Sequence, residues 1–229
     1  MVHNDDWLLT PDAVREFEQA GLVTATFRRL DPGRQQAITL AILEEAFERG
    51  PARIRLKETA AAAGVSVGSL YQYFAGQQAM IDFAIELVAG ILAAQLRSYI
   101  PALRQLSLRD GLEAWLAGGV EWSGSYSAVM RYFARAAYDG DPAVNTRLVR
   151  PIAAAMLEAM TAMVTAASER GELRAGIDPV VAASVLHGAL SAIIDASMLP
   201  HLGGYLLPGP TTAAETTAAA IDILVRGLS

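Results

Sequence analysis

Between Lys57 and Phe74 the chain reads K-E-T-A-A-A-A-G-V-S-V-G-S-L-Y-Q-Y-F. Two short helical patterns meet there with room only for a tight turn. Ala60 and Gly64 stand four apart. A small residue at the first position lets two helices cross closely, and glycine at the second takes the positive-φ conformation that ends a helix and turns the chain. Ser66 then offers an N-cap. Val65 and Leu70 are apolar anchors, so the exposed face of the second helix carries Val67, Gly68, Ser69, Gln72 and the rings of Tyr71 and Tyr73. That face is small, polar and aromatic, with no carboxylate to repel a phosphate. The pattern reads as a helix-turn-helix whose second helix fits a DNA major groove.

An alanine followed four residues later by glycine occurs in many helical hairpins, so the pair alone decides little. The whole string is more specific. It resembles the TetR family of bacterial transcriptional regulators, whose signature is A-G-V-S-x-G-S/T-L-Y-x-Y-F after a short helix. The resemblance covers residues 34–81, about a fifth of the chain. It implies an all-α fold, with an N-terminal three-helix DNA-binding domain followed by a six-helix ligand-binding and dimerisation domain. The expected divisions are an arm over 1–33, the helix-turn-helix domain over 34–80 and the helical body over 81–229.

The resemblance also implies roles. Tyr71 and Tyr73 match motif tyrosines whose hydroxyls bond phosphates, and Ser69 stands where a small hydroxyl meets a phosphate or a base edge. Lys57, the only lysine, holds a position at the second helix from which family members reach DNA. Arg55 and Ser66 complete the expected set with Val67, Gly68 and Gln72, and Gln72 suits adenine. Three positions depart from the pattern. Phe47 comes one place later than the usual aromatic, and Thr59 replaces an aliphatic. Gln77 occupies the place of a lysine that meets a phosphate, which predicts a shallower salt dependence of binding.

Charge is distributed in keeping with this. The net charge is −6, which disfavours nucleic acid as a whole. Residues 1–22 hold five acids and one base, and residues 81–229 hold fourteen acids and ten bases. Only residues 23–80, with seven bases against five acids, are net positive. Phosphate contacts supply most of the affinity for DNA, so the sign is in the right place.

Breaks along the chain outline further helices. Thr10-Pro11-Asp12 is a helix start, ending at Gly21. Leu22 to Leu30 follows, and Arg28-Arg29 near its end offer either packing or a basic arm reaching a phosphate or the minor groove. Helices are expected over Arg34–Arg49, Arg55–Ala62 and Val67–Phe74. Longer ones follow over Gln77–Ile100 (stopped by Pro101), Leu108–Gly124, Tyr126–Tyr138, Pro142–Arg170, Asp178–Met198 and Thr211 or Thr212 to Arg226. No segment reads as a strand.

The helix from Asp178 to Met198 is apolar nearly all round, which predicts burial on every side. In the family the last two helices pair with their copies in a four-helix interface, so a homodimer is expected. The alternative is that they cap a monomer core. A monomer would present a single recognition helix, with few base contacts. Met156, Met160 and Met163 repeat at i, i+4, i+7, as do Tyr126, Met130 and Phe133. Trp115 and Trp122 add two rings. Ordinary core and an adaptable apolar pocket both fit these residues. Because TetR-like regulators bind inducers inside the helical body, the pocket is expected to take a small, largely apolar molecule. Arg131, Glu121 and His187 would supply the polar contacts, although such a histidine also suits a packed core.

Other classes find little support. There is no cysteine, so disulfides and thiolate chemistry are excluded. The three histidines show no metal spacing, and no phosphate-binding or G-x-S-x-G motif occurs. No enzyme, metal or cofactor is expected. No secretion signal opens the chain, and long uncharged stretches such as Ala196 to Ala214 are broken by prolines and glycines. A cytoplasmic protein with no membrane partner is therefore expected. A DNA-binding regulator without ligand response has the same sequence features.

Overall fold

The computed structural model describes residues 9–125, 127–198, 202–204 and 213–229, and the side chains of 119–125, 127, 197–198 and 213–214 are not described. Among the described residues every regular element is helical. The chain divides into two compact units, residues 1–91 with 125–151, and residues 92–124 with 152–229.

The first unit begins with an arm of two helices, α1 (Pro11–Gln19) and α2 (Ala25–Arg28). Thr10 caps α1 by accepting the Ala13 N–H at 3.2 Å, with Pro11 in the first turn. Gly21, at φ 74°, turns the chain between them. Next come α3 (Pro32–Arg49), α4 (Leu56–Ala62) and α5 (Val67–Tyr73). Asp31 caps α3 through the Arg34 N–H at 2.9 Å. The expected face of α3 is inside: Ile38, Ile42 and Ala46 are fully buried and Ala41 nearly so. Thr59 is also fully buried, and its hydroxyl donates to the Arg55 carbonyl at 2.9 Å, which satisfies the polar atom. Phe47 lies beneath the Arg131 guanidinium, 3.8 Å from its ring centre. The helix α6 (Gln77–Ser98) follows the motif.

An aromatic box holds this unit together. Phe27, Phe74 and Phe83 are each fully buried, with ring centres 5.4 to 5.7 Å apart. Phe17 of α1 adds an edge contact to Phe83 at 5.2 Å. The arm, the end of α5 and α6 thus share one cluster.

Pro101 does not simply stop a helix. It enters the first turn of α7 (Ile100–Leu103), where its missing N–H costs nothing. Two more helices are α8 (Leu108–Ser125) and α9 (Ser127–Asp139). The expected continuous helix from Pro142 is interrupted. A short α10 (Pro142–Val144) runs into a π-helical turn over Asn145–Val149 before α11 (Arg150–Glu169). From that turn Arg147 bonds Glu86 at 2.9 Å and also contacts Asp82, both on α6. These two carboxylates, the Asp82 bond foremost, push the Arg147 guanidinium above its ordinary pKa.

The second unit contains α7, α8, α11, α12 (Pro179–Met198) and α13 (Ala213–Leu228). Its core gathers Leu112 and Leu116, Met160 and Met163, Leu186 and Leu190, and Ile221. At Gly111 an added Cβ would stand 2.4 Å from the Met163 sulfur, so glycine there permits the close approach of α8 and α11. By length and composition three stretches, Gln77–Leu103, Pro142–Glu169 and Pro179–Ala196, are apolar enough to cross a membrane.

The box predicts the cost of opening it. Phe27→Ala should lower unfolding free energy by about 3–5 kcal/mol, read as a shift of the denaturant midpoint. A shift below about 1 kcal/mol would show that the arm adds little to the unit.

Candidate nucleic-acid interface

The turn between α4 and α5 has the geometry its sequence predicts. Gly64 adopts φ 64°. Its N–H donates to the Ala61 carbonyl at 3.2 Å, and the Val65 N–H donates to the Ala60 carbonyl at 2.9 Å. This pair of bonds closes the end of α4 as a Schellman motif. Ala60 is 2 % exposed beneath the crossing. The Ser66 hydroxyl accepts the Ser69 N–H at 3.0 Å and starts α5. Arg34, on α3, donates to the Gly64 carbonyl at 3.2 Å, a tie that local sequence does not reveal.

Recognition helix α5 buries Leu70 completely and presents the opposite side. Val67 is 36 % and Tyr71 57 % exposed, Gly68 and Gln72 are exposed, and Ser69 and Tyr73 are half-buried. The Ser69 hydroxyl is 2.8 Å from that of Ser66, so the two act as a pair. Gly68 has ordinary helical φ, and an added Cβ would meet only Ser66 Oγ at 3.7 Å. The fold does not require glycine there.

Around this face the charged residues separate into two groups. Arg55 is engaged by Glu58 at 3.2 Å and Glu45 at 3.6 Å. Lys57 is exposed on α4, and among the described residues it has no carboxylate partner; the same holds for Arg29 and Arg34. Arg28 pairs with Glu18. Gln77 is exposed, and its side-chain amide donates to the Ile54 carbonyl at 2.6 Å, tying the start of α6 to the loop before α4.

The residues expected to line a ligand pocket do not fall in one unit. Met130 and Phe133, both half-buried on α9, belong to the first. Trp115, Met156 and His187, all half-buried, belong to the second, where Trp115 packs against the core. Met160 is fully buried within that core. His187 has Ser191 Oγ 3.4 Å from its Nδ1, and burial lowers its pKa against an opposing pull from Asp195. Tyr126 lies outside the described residues, as do the side chains of Trp122 and Glu121. Arg131 is committed to Glu44 at 3.3 Å and to the Phe47 ring.

Comparison with known proteins agrees with this layout. Residues 38–82 match the model of bacterial regulatory proteins of the tetR family. Residues 105–194 match the tetracyclin repressor-like C-terminal domain. No curated protein matches the chain. Among solved structures, a TetR family transcriptional regulator from Chloroflexus aurantiacus J-10-fl is 20 % identical, with TM-score 0.64 over 91 % of this chain and 99 % of that one. The regulator FadR from Bacillus subtilis, solved with stearoyl-CoA, is 14 % identical, with TM-score 0.59 over 84 % and 98 %. A SmeT–triclosan complex is 20 % identical, with TM-score 0.59 over 82 % and 91 %. At such identities these likenesses concern the fold. The two domain models together span more than half of the sequence and meet it at both the helix-turn-helix and the helical body. The chain belongs to the TetR family of bacterial transcriptional regulators.

Proposed function

We propose that this regulator is a homodimeric, cytoplasmic repressor without catalytic activity, which binds a palindromic operator and leaves it when a small, largely apolar molecule enters the body. The observation that carries the reading is the outer face of α5, where exposed Val67, Tyr71 and Gln72 surround the unobstructed Gly68. In this reading Gln72 reads a base, and Tyr71, Tyr73, Ser69 and Lys57 hold the phosphates. Arg55 serves chiefly to fix the start of α4, since two carboxylates occupy it. Gln77 keeps the loop at Ile54 in place and adds no charge.

Exposed apolar surface supports the dimer. Val180, Val181 and Val185 on α12 are 57, 60 and 59 % exposed, and Ile223 on α13 is 69 % exposed. Only 28 % of the apolar stretch Pro179–Ala196 is buried within the chain. A patch of this kind marks an association surface. Two subunits would then place two recognition helices about 34–36 Å apart, one turn of B-DNA.

The ligand site is proposed among Trp115, Met156 and His187 of the second unit, where half-buried side chains border the core. Neighbours of the same fold solved with stearoyl-CoA and triclosan support an apolar molecule as its occupant.

Three measurements test these assignments. With the duplex that the protein selects from a randomised pool, Gln72→Ala should relax base preference at one position per half-site. Lys57→Ala should weaken every duplex and reduce the salt slope by about one per subunit. If both variants bind like the parent, α5 and α4 do not face DNA as assigned. Val181→Glu should convert a dimer into a folded monomer by light scattering, and a variant that stays dimeric places the interface elsewhere. Finally, an apolar ligand at 100 times its Kd should add about 2.7 kcal/mol of stability in a thermal-shift assay. The gain should disappear in Trp115→Ala, and a retained gain would move the site away from α8.

A further inference from the structure

The recognition helix α5 is only seven residues long, Val67–Tyr73, and it lacks its own C-terminal cap. No left-handed residue follows directly, since the positive-φ glycine, Gly76 at φ 109°, comes only three places after Tyr73. The next residue, Phe74, is extended at φ −129°, ψ 144°, and no basic side chain lies in the last turn. The final carbonyls of such a helix have no intrahelical donor and need one from elsewhere. That donor comes from 48 residues upstream, in the arm. The Thr24 N–H donates to the Tyr73 carbonyl at 2.9 Å, and the Thr24 hydroxyl donates to the Gln72 carbonyl at 2.5 Å. The same hydroxyl accepts the Phe27 N–H at 3.3 Å and so caps α2. One residue thus opens one helix and closes another, with its donor and acceptor capacity used on both.

The anchoring of this residue is as firm as the bonds themselves. Phe27, three positions on, is fully buried and touches Tyr73, Phe74 and Phe83. Gln35 of α3 donates to the Phe27 carbonyl at 3.1 Å and to that of Arg28 at 3.2 Å, holding α2 from its other end. The two carbonyls that Thr24 grips belong to Gln72 and Tyr73, residues of the DNA-facing set.

We propose that Thr24 is a positioning residue for DNA recognition: by capping the far end of α5 from the arm, it fixes the angle at which Gln72 and Tyr73 meet the duplex. The inference rests on the DNA-binding reading above. It gives the arm a part in specificity that is separate from any charge contact made by Arg28 or Arg29.

The test uses the full chain, the duplex selected by the parent protein, and an unrelated duplex of equal length. If the parent selects no duplex, it is the DNA-binding reading that fails, and Thr24 has nothing to position. Given a selected duplex, Thr24→Val keeps the side-chain shape and removes the hydroxyl. It should weaken the selected duplex by roughly three- to tenfold, the range of one lost hydrogen bond. It should weaken the unrelated duplex less, through Tyr73 alone, and leave the salt slope unchanged, because neither Gln72 nor Tyr73 carries a charge. Thr24→Ser, which keeps the hydroxyl, should bind like the parent. Hydrogen exchange supplies a readout independent of DNA: the amides of Gln72, Tyr73 and Phe74 should exchange faster in Thr24→Val and not in Thr24→Ser. Parent-like binding and exchange in Thr24→Val would overturn the proposal. So would equal losses on both duplexes, which indicate general destabilisation, or a slope shallower by about one, which indicates a lost phosphate contact.

Discussion

The packing of Phe27, Phe74 and Phe83 is the contact on which the rest of the first unit depends. A helix as short as α5 has no stability of its own in water, since nucleation costs more than two turns return. Its position must come from tertiary contacts at both ends. The N-terminal end is held by the Schellman turn and by the Arg34 bond to Gly64. The C-terminal end is held by Phe74 in the box, with Thr24 on the last carbonyls. Because Phe83 is on α6 and Phe17 and Phe27 are in the arm, a disturbance at any of these elements is felt at the reading face.

Features encoded locally were legible in the sequence. The caps at Thr10 and Ser66 and the turn at Gly64 each depend on residues within four positions, and the structure has them as expected. The helical order and the buried face of α3 followed from periodicity. The arm was harder. Leu22 to Leu30 read as one segment between two breaks, yet only Ala25–Arg28 is helical, and Thr24 before it is extended where it reaches α5. Gln77 read as a missing cation, and only the fold shows its amide on the Ile54 carbonyl. The apolar residues read as one pocket are split between two units, since periodicity reports which face is apolar and not which core receives it.

Electrostatics around the motif are sparser than composition suggests. Of the bases between residues 23 and 80, Arg28, Arg49, Arg53 and Arg55 already face carboxylates. In the proposed reading, an acidic chain of this kind depends more on hydroxyls, amides and backbone N–H groups at the duplex than on charge. Such contacts persist as salt rises, while long-range attraction is screened within about 10 Å at 0.1 M.

The π-helical turn at Asn145–Val149 has a consequence for how the long helix distributes its side chains. Val144, Leu148 and Ile152 are all buried, at successive intervals of four. On an ideal α-helix two such intervals drift by about 80° around the axis. A wider turn absorbs that drift and keeps the three side chains in line before Ala155 and Ala159 resume the usual spacing. The turn is equivalent to one inserted residue. Closing it to regular α geometry with no residue removed would rotate every later side chain of α11 by about 100°. Met160 and Met163 would then leave the core and Glu158 would swing out of its place beside Arg97. Removing one residue together with the turn would instead keep the later side chains in register, since the turn is what absorbs the extra residue. The segment thus tolerates the loss of one residue, while a change of its helical geometry alone is transmitted to the end of the helix.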